Sequence, residues 1–155
     1  MRNKLFLCGG IILLAVVLFV VFASAKHMSP TLSIGGHVIQ LELADTEAKR
    51  ILGLGGREVI GDDESMLFVF PKSDKYGIWM KGMRFPLDIV WLEDGQKDAG
   101  GKQMLVVLEI QENIAPETYP EIFYPREKAL YVLEMKGGSA QKSDMHVGSI
   151  LTLKK

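Results

Sequence analysis

Leu87-Asp88-Ile89-Val90-Trp91-Leu92, followed by Asp94-Gly95, Gly100-Gly101 and the run Gln103-Met104-Leu105-Val106-Val107-Leu108-Glu109-Ile110-Gln111-Glu112, decides the fold. Two apolar runs of strand length flank a polar tip, 94–102, whose Asp-Gly and Gly-Gly pairs are turn formers. This reads as a hairpin of strands 87–92 and 103–112. Further runs of the same kind lie at 37–44, 66–70, 76–81, 129–135 and 149–154. Seven short strands with turn residues between them predict a mainly β domain, a sandwich or a partly open barrel. One segment departs from the pattern. Asp45-Thr46 can cap a short helix over 47–53, with Ala48, Ile51 and Leu52 on one face and Gly53 as the stop. A weaker helical turn is expected around 138–146. The stretch 113–128 holds Pro116, Pro120 and Pro125 but is too apolar for a free linker, so an ordered loop is expected.

At the other end of the chain, residues 5–25 carry no charge and no proline. A helix of that length reaches roughly 30 Å, the thickness of a bilayer's hydrocarbon core. A basic head, Arg2 and Lys4, precedes it and favours a cytoplasmic N-terminus with the rest outside. Ala23-Ser24-Ala25 has the form of a signal cleavage site, while the length favours an uncleaved anchor. Residues 1–25 are therefore expected to be a signal peptide or a transmembrane helix. Residues 26–36 are expected to be a linker, and 37–155 the domain. The implied partner is the membrane, through 5–25 if uncleaved. The implied location is the cell membrane with the domain extracytoplasmic, or secreted or periplasmic after cleavage.

This segment inflates the overall apolar fraction of 48%. It also holds the only cysteine, Cys8, so no disulfide or thiol chemistry is expected beyond it. The whole chain has a formal charge of -1, with no basic stretch to suggest nucleic acid as a partner. His27, His37 and His146 are too scattered for a metal site. Neither a phosphate-binding Gly-x4-Gly-Lys motif nor a Gly-x-Ser-x-Gly elbow is present. No metal or cofactor is expected.

Chemistry is therefore sought where polar groups meet apolar strands. Side chains alternate along a strand, which places Asp88, Glu109 and Glu134 at the ends of apolar rows. Each should find a donor, because an unpaired buried carboxylate is costly; Arg57, Lys81 and Arg84 are the candidates. Ordinary ion pairs at the rim of a β core would also explain them. The densest functional candidate is 79–88. Trp79 and Lys81 share a face there, and the turn 82–86 can bring Asp88 back beside them. An aromatic plane, a cation and a carboxylate suit a sugar-like or anionic ligand. Arg57, Trp79, Lys81, Asp88 and Glu134 are the expected ligand-binding residues, with no catalytic residue assigned.

These same residues carry a resemblance. Leu41-Glu42-Leu43-Ala44-Asp45-Thr46, Arg50, Gly53-Leu54 and Arg57, Met66 to Phe70, Trp79-Met80-Lys81, Pro86 to Ile89, Ala115 to Pro120, Tyr131 to Glu134 and Gly148 stand in the order found in the bacterial and archaeal "domain of unknown function 192" family, which the chain resembles over roughly 38–153. The resemblance implies a small, mostly β, jelly-roll-like or sandwich fold with one short helix and frequent export. It implies no reaction. The chain departs from the family at Gly55, where Met is usual, at Ser65 (Gly), at Gly82-Met83 (Asn-Thr) and at Ser149 (Asp). The expected role is an extracytoplasmic binding or accessory module for an envelope glycan or small anion. A hydrolase or lyase on envelope polymers using Asp88 or Glu134 as acid or base is the alternative. A structural protein-interaction domain is the third.

Overall fold

The computed structural model describes residues 29–154; the segment 5–25 lies outside them. No helix among the described residues is long and apolar enough to cross a membrane. Nine strands form among the described residues: β1 (Thr31–Ile34), β2 (His37–Ala44), β3 (Glu64–Asp74), β4 (Ile78–Trp79), β5 (Leu87–Asp94), β6 (Gln103–Ile114), β7 (Ile122–Phe123), β8 (Ala129–Lys136) and β9 (Ile150–Lys154). Two short helices join them, α1 (Glu47–Leu52) and α2 (Ser139–Lys142), with a 3-10 turn at Pro116–Thr118.

Seven strands close into a barrel in the order β1-β2-β3-β8-β5-β6-β9, and β4 pairs with β7 in a separate ribbon. The chain is thus mainly β with a short helix, as expected. The barrel is closed rather than partly open, because β1 pairs with both β2 and β9. That strand falls within the expected linker 26–36, which must be corrected. Leu32 and Ile34 alternate inward with Thr31 and Ser33, and Gly35-Gly36 make the two-residue turn to His37. Both glycines have positive φ, 53° and 92°, as a type I′ hairpin requires. Conversely, the expected strand 76–81 supplies only β4 and stays outside the barrel.

All seven barrel strands contribute to one core, through residues such as Leu32, Leu41, Leu67, Val90, Leu105, Leu133 and Leu151, so this core fills the interior. Ala140 and Met145, from α2 and the segment after it, join it and plug one end. A second core lies on the outer face of β3, β5 and β8, where Met66, Phe68, Leu87, Ile89, Trp91 and Val132 meet Leu54, Ile60 and Met80 from the connections, Ile78 of β4 and Ile114 at the end of β6. This explains the unbroken apolar run 87–92: β5 is buried on both faces. With a closed hydrogen-bonded barrel and two cores, 29–154 is a self-contained folding unit.

Candidate functional site

The outer-face core is roofed by the connections, and the roof leaves a pocket of about 250 Å³. β2 crosses to the parallel strand β3 through α1. Thr46 caps this helix, accepting from the Lys49 amide, and Gly53 ends it at φ 53°. The side chain that glycine lacks would lie 3.4 Å from Phe68 and 3.6 Å from Glu134 Oε2. Ala48, Ile51 and Leu52 were placed on one face of the helix, and no residue of α1 is buried. The helix is a rim rather than a core element, and Ile51 and Leu52 line the pocket.

The opposite wall is the strap 76–81. Trp91 Nε1 donates to the Tyr76 carbonyl at 2.9 Å, which pins the strap to β5. Tyr76 stacks on Phe70 at 3.5 Å between ring centres. Arg50 donates to the Val69 carbonyl at 2.8 Å and lies over Phe70. The β4–β7 ribbon carries Trp79 to the mouth, where its ring meets Tyr119 edge-on and Lys81 Nζ sits 5.6 Å above it. The loop 113–128 is ordered, as expected, because it supplies β7 and this aromatic contact.

Glu134 forms part of the inner wall. It stands on β8 between Met66 of β3 and Ile89 of β5, facing the outer core, and is only 5% exposed. Its Oε2 has no hydrogen-bond partner among the described residues. Burial pushes its carboxyl up to about 8, against the opposing pull of the Leu54 amide and the Arg57 charge. The side chain is therefore a neutral acid near pH 7, able to donate one hydrogen bond and accept others.

Of the five expected site residues, Trp79, Lys81 and Glu134 converge on this pocket. Arg57 does not line it. It pairs with Glu42 at 2.6 Å in a shallow cleft beside Ser29 and Ile60, and reaches Glu134 only as a nearby charge. Asp88 does not line it either. It points away from Leu87 and Ile89, to the other side of β5, so the 82–86 turn cannot bring it to Trp79. There its Oδ1 accepts from the Asn113 amide at 2.8 Å and the Gly138 amide at 3.1 Å, and its Oδ2 from the Ala140 amide at 2.8 Å.

The expectation that side-chain cations satisfy the three strand carboxylates also needs correction. Asp88 is held by backbone amides. Glu109 accepts from the Arg126 amide and from Gln111. A β-bulge after Trp91 places Glu109 opposite Trp91 while Val107 faces Leu92, so Glu109 leaves the face of Leu105 and Val107. Arg84 pairs with Glu58 instead. Sequence reading missed Tyr76, Phe70 and Arg50, whose part in the pocket depends on long-range packing; Arg50 and Phe70 carried a signal, within the family resemblance, and Tyr76 carried none.

Solved structures share the fold, two of them with the following likeness. One is a protein from Sinorhizobium meliloti 1021 described as a "putative transcription regulator", 28% identical, with a TM-score of 0.67 over 79% of this chain and 89% of that one. The other is a protein of unknown function from Novosphingobium aromaticivorans DSM 12444, 29% identical, with a TM-score of 0.65 over 79% of this chain and 81% of that one. No curated protein matches the chain. The family model DUF192, described as "Uncharacterized ACR", matches residues 30–153, from the start of the barrel to its last strand. The chain belongs to the DUF192 family.

Proposed function

We propose that this protein is a membrane-delivered, extracytoplasmic binding module whose pocket takes a small sugar-like ligand of the cell envelope. The observation that carries the reading is Glu134: a carboxyl group, buried in a pocket wall, with an oxygen that no described residue satisfies. Leaving such a group unpaired is costly, and a ligand hydroxyl would relieve that cost. Trp79 offers an apolar face for a sugar ring at the mouth, with Lys81 beside it for orientation. A small anion suits the pocket less well, because the acid in its wall turns negative as pH rises. Delivery rests on residues 5–25, which either anchor the domain outside the membrane or release it after Ala25.

The test is thermal unfolding of 29–154 with a panel of mono- and disaccharides. A saccharide at about a hundred times its Kd should stabilise the domain by about 2.7 kcal/mol. Trp79→Ala should weaken binding by about 1–2 kcal/mol, roughly 5- to 30-fold, and Asp88→Glu should not remove the ligand response of whatever protein still folds. A panel that shifts nothing overturns the reading.

A second reading draws on the same side chain. A protonated carboxyl in a pocket is what a general acid requires, so Glu134 rather than Asp88 is the residue a hydrolase or lyase would use. Turnover of envelope polysaccharide that is lost in Glu134→Gln would favour it over simple binding.

A further inference from the structure

The mouth of the pocket is ringed by apolar side chains that the fold leaves uncovered. Ile51 is 70% exposed, Leu52 68%, Tyr124 56%, Trp79 45% and Ile122 40%. They form one surface. Ile51 and Leu52 line the pocket from one side and Trp79 from the other. Trp79 pairs across the ribbon with Ile122. A side chain at Gly77, beside Trp79, would strike both Ile122 and Tyr124, so those two close the ring. An exposed, contiguous collar of this kind marks an interaction surface.

The chain's own layout says what covers it. Only five residues, 26–30, separate the uncharged segment 5–25 from β1. Fully extended they span at most about 17 Å. A domain of this size has a radius of gyration of about 14 Å, so an anchored barrel cannot leave the bilayer surface. The end of the tether also lies on the collar's side. Ser29 shares a cleft with Arg57, and the tight turn 53–57 leads from Leu52 to Arg57, held by the Gly55 amide on the Leu52 carbonyl and the Gly56 amide on the Gly82 carbonyl. Trp and Tyr are the side chains that settle at the boundary of hydrocarbon and headgroups. Lys81, poised over Trp79, places a cation at headgroup level.

We propose that the Ile51–Leu52–Trp79–Ile122–Tyr124 collar docks on the lipid–water interface of the membrane that anchors the chain, so that the pocket opens toward that interface. The inference rests on reading 5–25 as an uncleaved anchor; it does not depend on the nature of the pocket's ligand.

The test uses the full chain reconstituted in phosphatidylcholine–phosphatidylglycerol vesicles containing lipids brominated near the headgroup end of the acyl chains. Trp79 and Trp91 are the only tryptophans, and Trp91 is fully buried. In the inserted chain the Trp79 emission should lie to the blue of that in soluble 29–154, and bromolipid should quench it, both independently of protein-to-lipid ratio. In Trp79→Phe, the remaining Trp91 emission should be unaffected. I51S/L52S/Y124S, all at exposed positions, should restore the unquenched signal. Unquenched Trp79 in the inserted chain overturns the proposal. So does protection of Trp79 that appears only as protein density rises, which would assign the collar to a second copy. Neither result touches saccharide binding by 29–154, so the two readings fail separately.

Discussion

Asp88→Ala should lower the stability of 29–154 by about 3–5 kcal/mol, read as a lower midpoint in urea with an unchanged slope. Asp88 is fully buried and accepts hydrogen bonds from three backbone amides, those of Asn113, Gly138 and Ala140. Removing the carboxylate leaves one buried and two part-buried N–H groups without an acceptor, at about 1–3 kcal/mol each when buried and unrelieved. The loss extends beyond the local bonds. Gly138 and Ala140 bracket the start of α2, and Ala140 and Met145 plug the barrel. Asp88→Asn keeps the shape but turns one acceptor into a donor, so it should recover only part of the loss. Full stability in the Asn variant would contradict the anchoring role.

The second large effect is a pH dependence. Glu134 has its carboxyl raised from 4.5 to about 8 in the fold. Below pH 4.5 both folded and unfolded chains hold the proton, and burial carries no ionisation penalty. Between pH 4.5 and 8 the unfolded chain has lost the proton while the folded one keeps it, so stability falls as pH rises through that window. At about 1.4 kcal/mol per unit the limit is near 5 kcal/mol; water entering the pocket lessens it, to about 2–4 kcal/mol. Glu134→Gln should remove this slope and be more stable than the wild type at pH 8 by a similar amount. Chemical denaturation at pH 5, 6.5 and 8 measures both. A wild-type stability that rises over this range would mean that Glu134 is ionised and paired. An acid kept at such a cost, where an uncharged side chain would fold better, fits a residue retained for its chemistry.

The mainly β fold was legible because strand periodicity is a local property. The run 87–92 and the hairpin to 103–112 appear as written, and Thr46 and Gly53 bound α1 almost where expected. What stayed hidden depends on distant partners. Nothing in Thr31–Ile34 says that it will pair with both β2 and β9 and close the barrel. The bulge that turns Glu109 away from Leu105 and Val107 is a property of two strands together. For the site, Trp79, Lys81 and Glu134 could be selected because polar groups on apolar strands stand out. Asp88 stood out for the same reason, yet serves backbone amides, because Gly138 and Ala140 come from 50 residues further along the chain. Glu134 keeps an unpaired oxygen because its cross-strand neighbours are Met66 and Ile89, which offer no donor.

The pocket itself is tested most directly by amide and indole NMR of 29–154 titrated with the saccharide panel. A saccharide that binds as proposed should move the Trp79 indole and the amides of Gly53, Leu54 and Gly55, which line the pocket with Glu134, and leave the Asp88-bound amides of Asn113, Gly138 and Ala140 in place. Shifts confined to the open end of the barrel, around Asp94, Gln103 and Tyr131, or no shift with any saccharide, would contradict it.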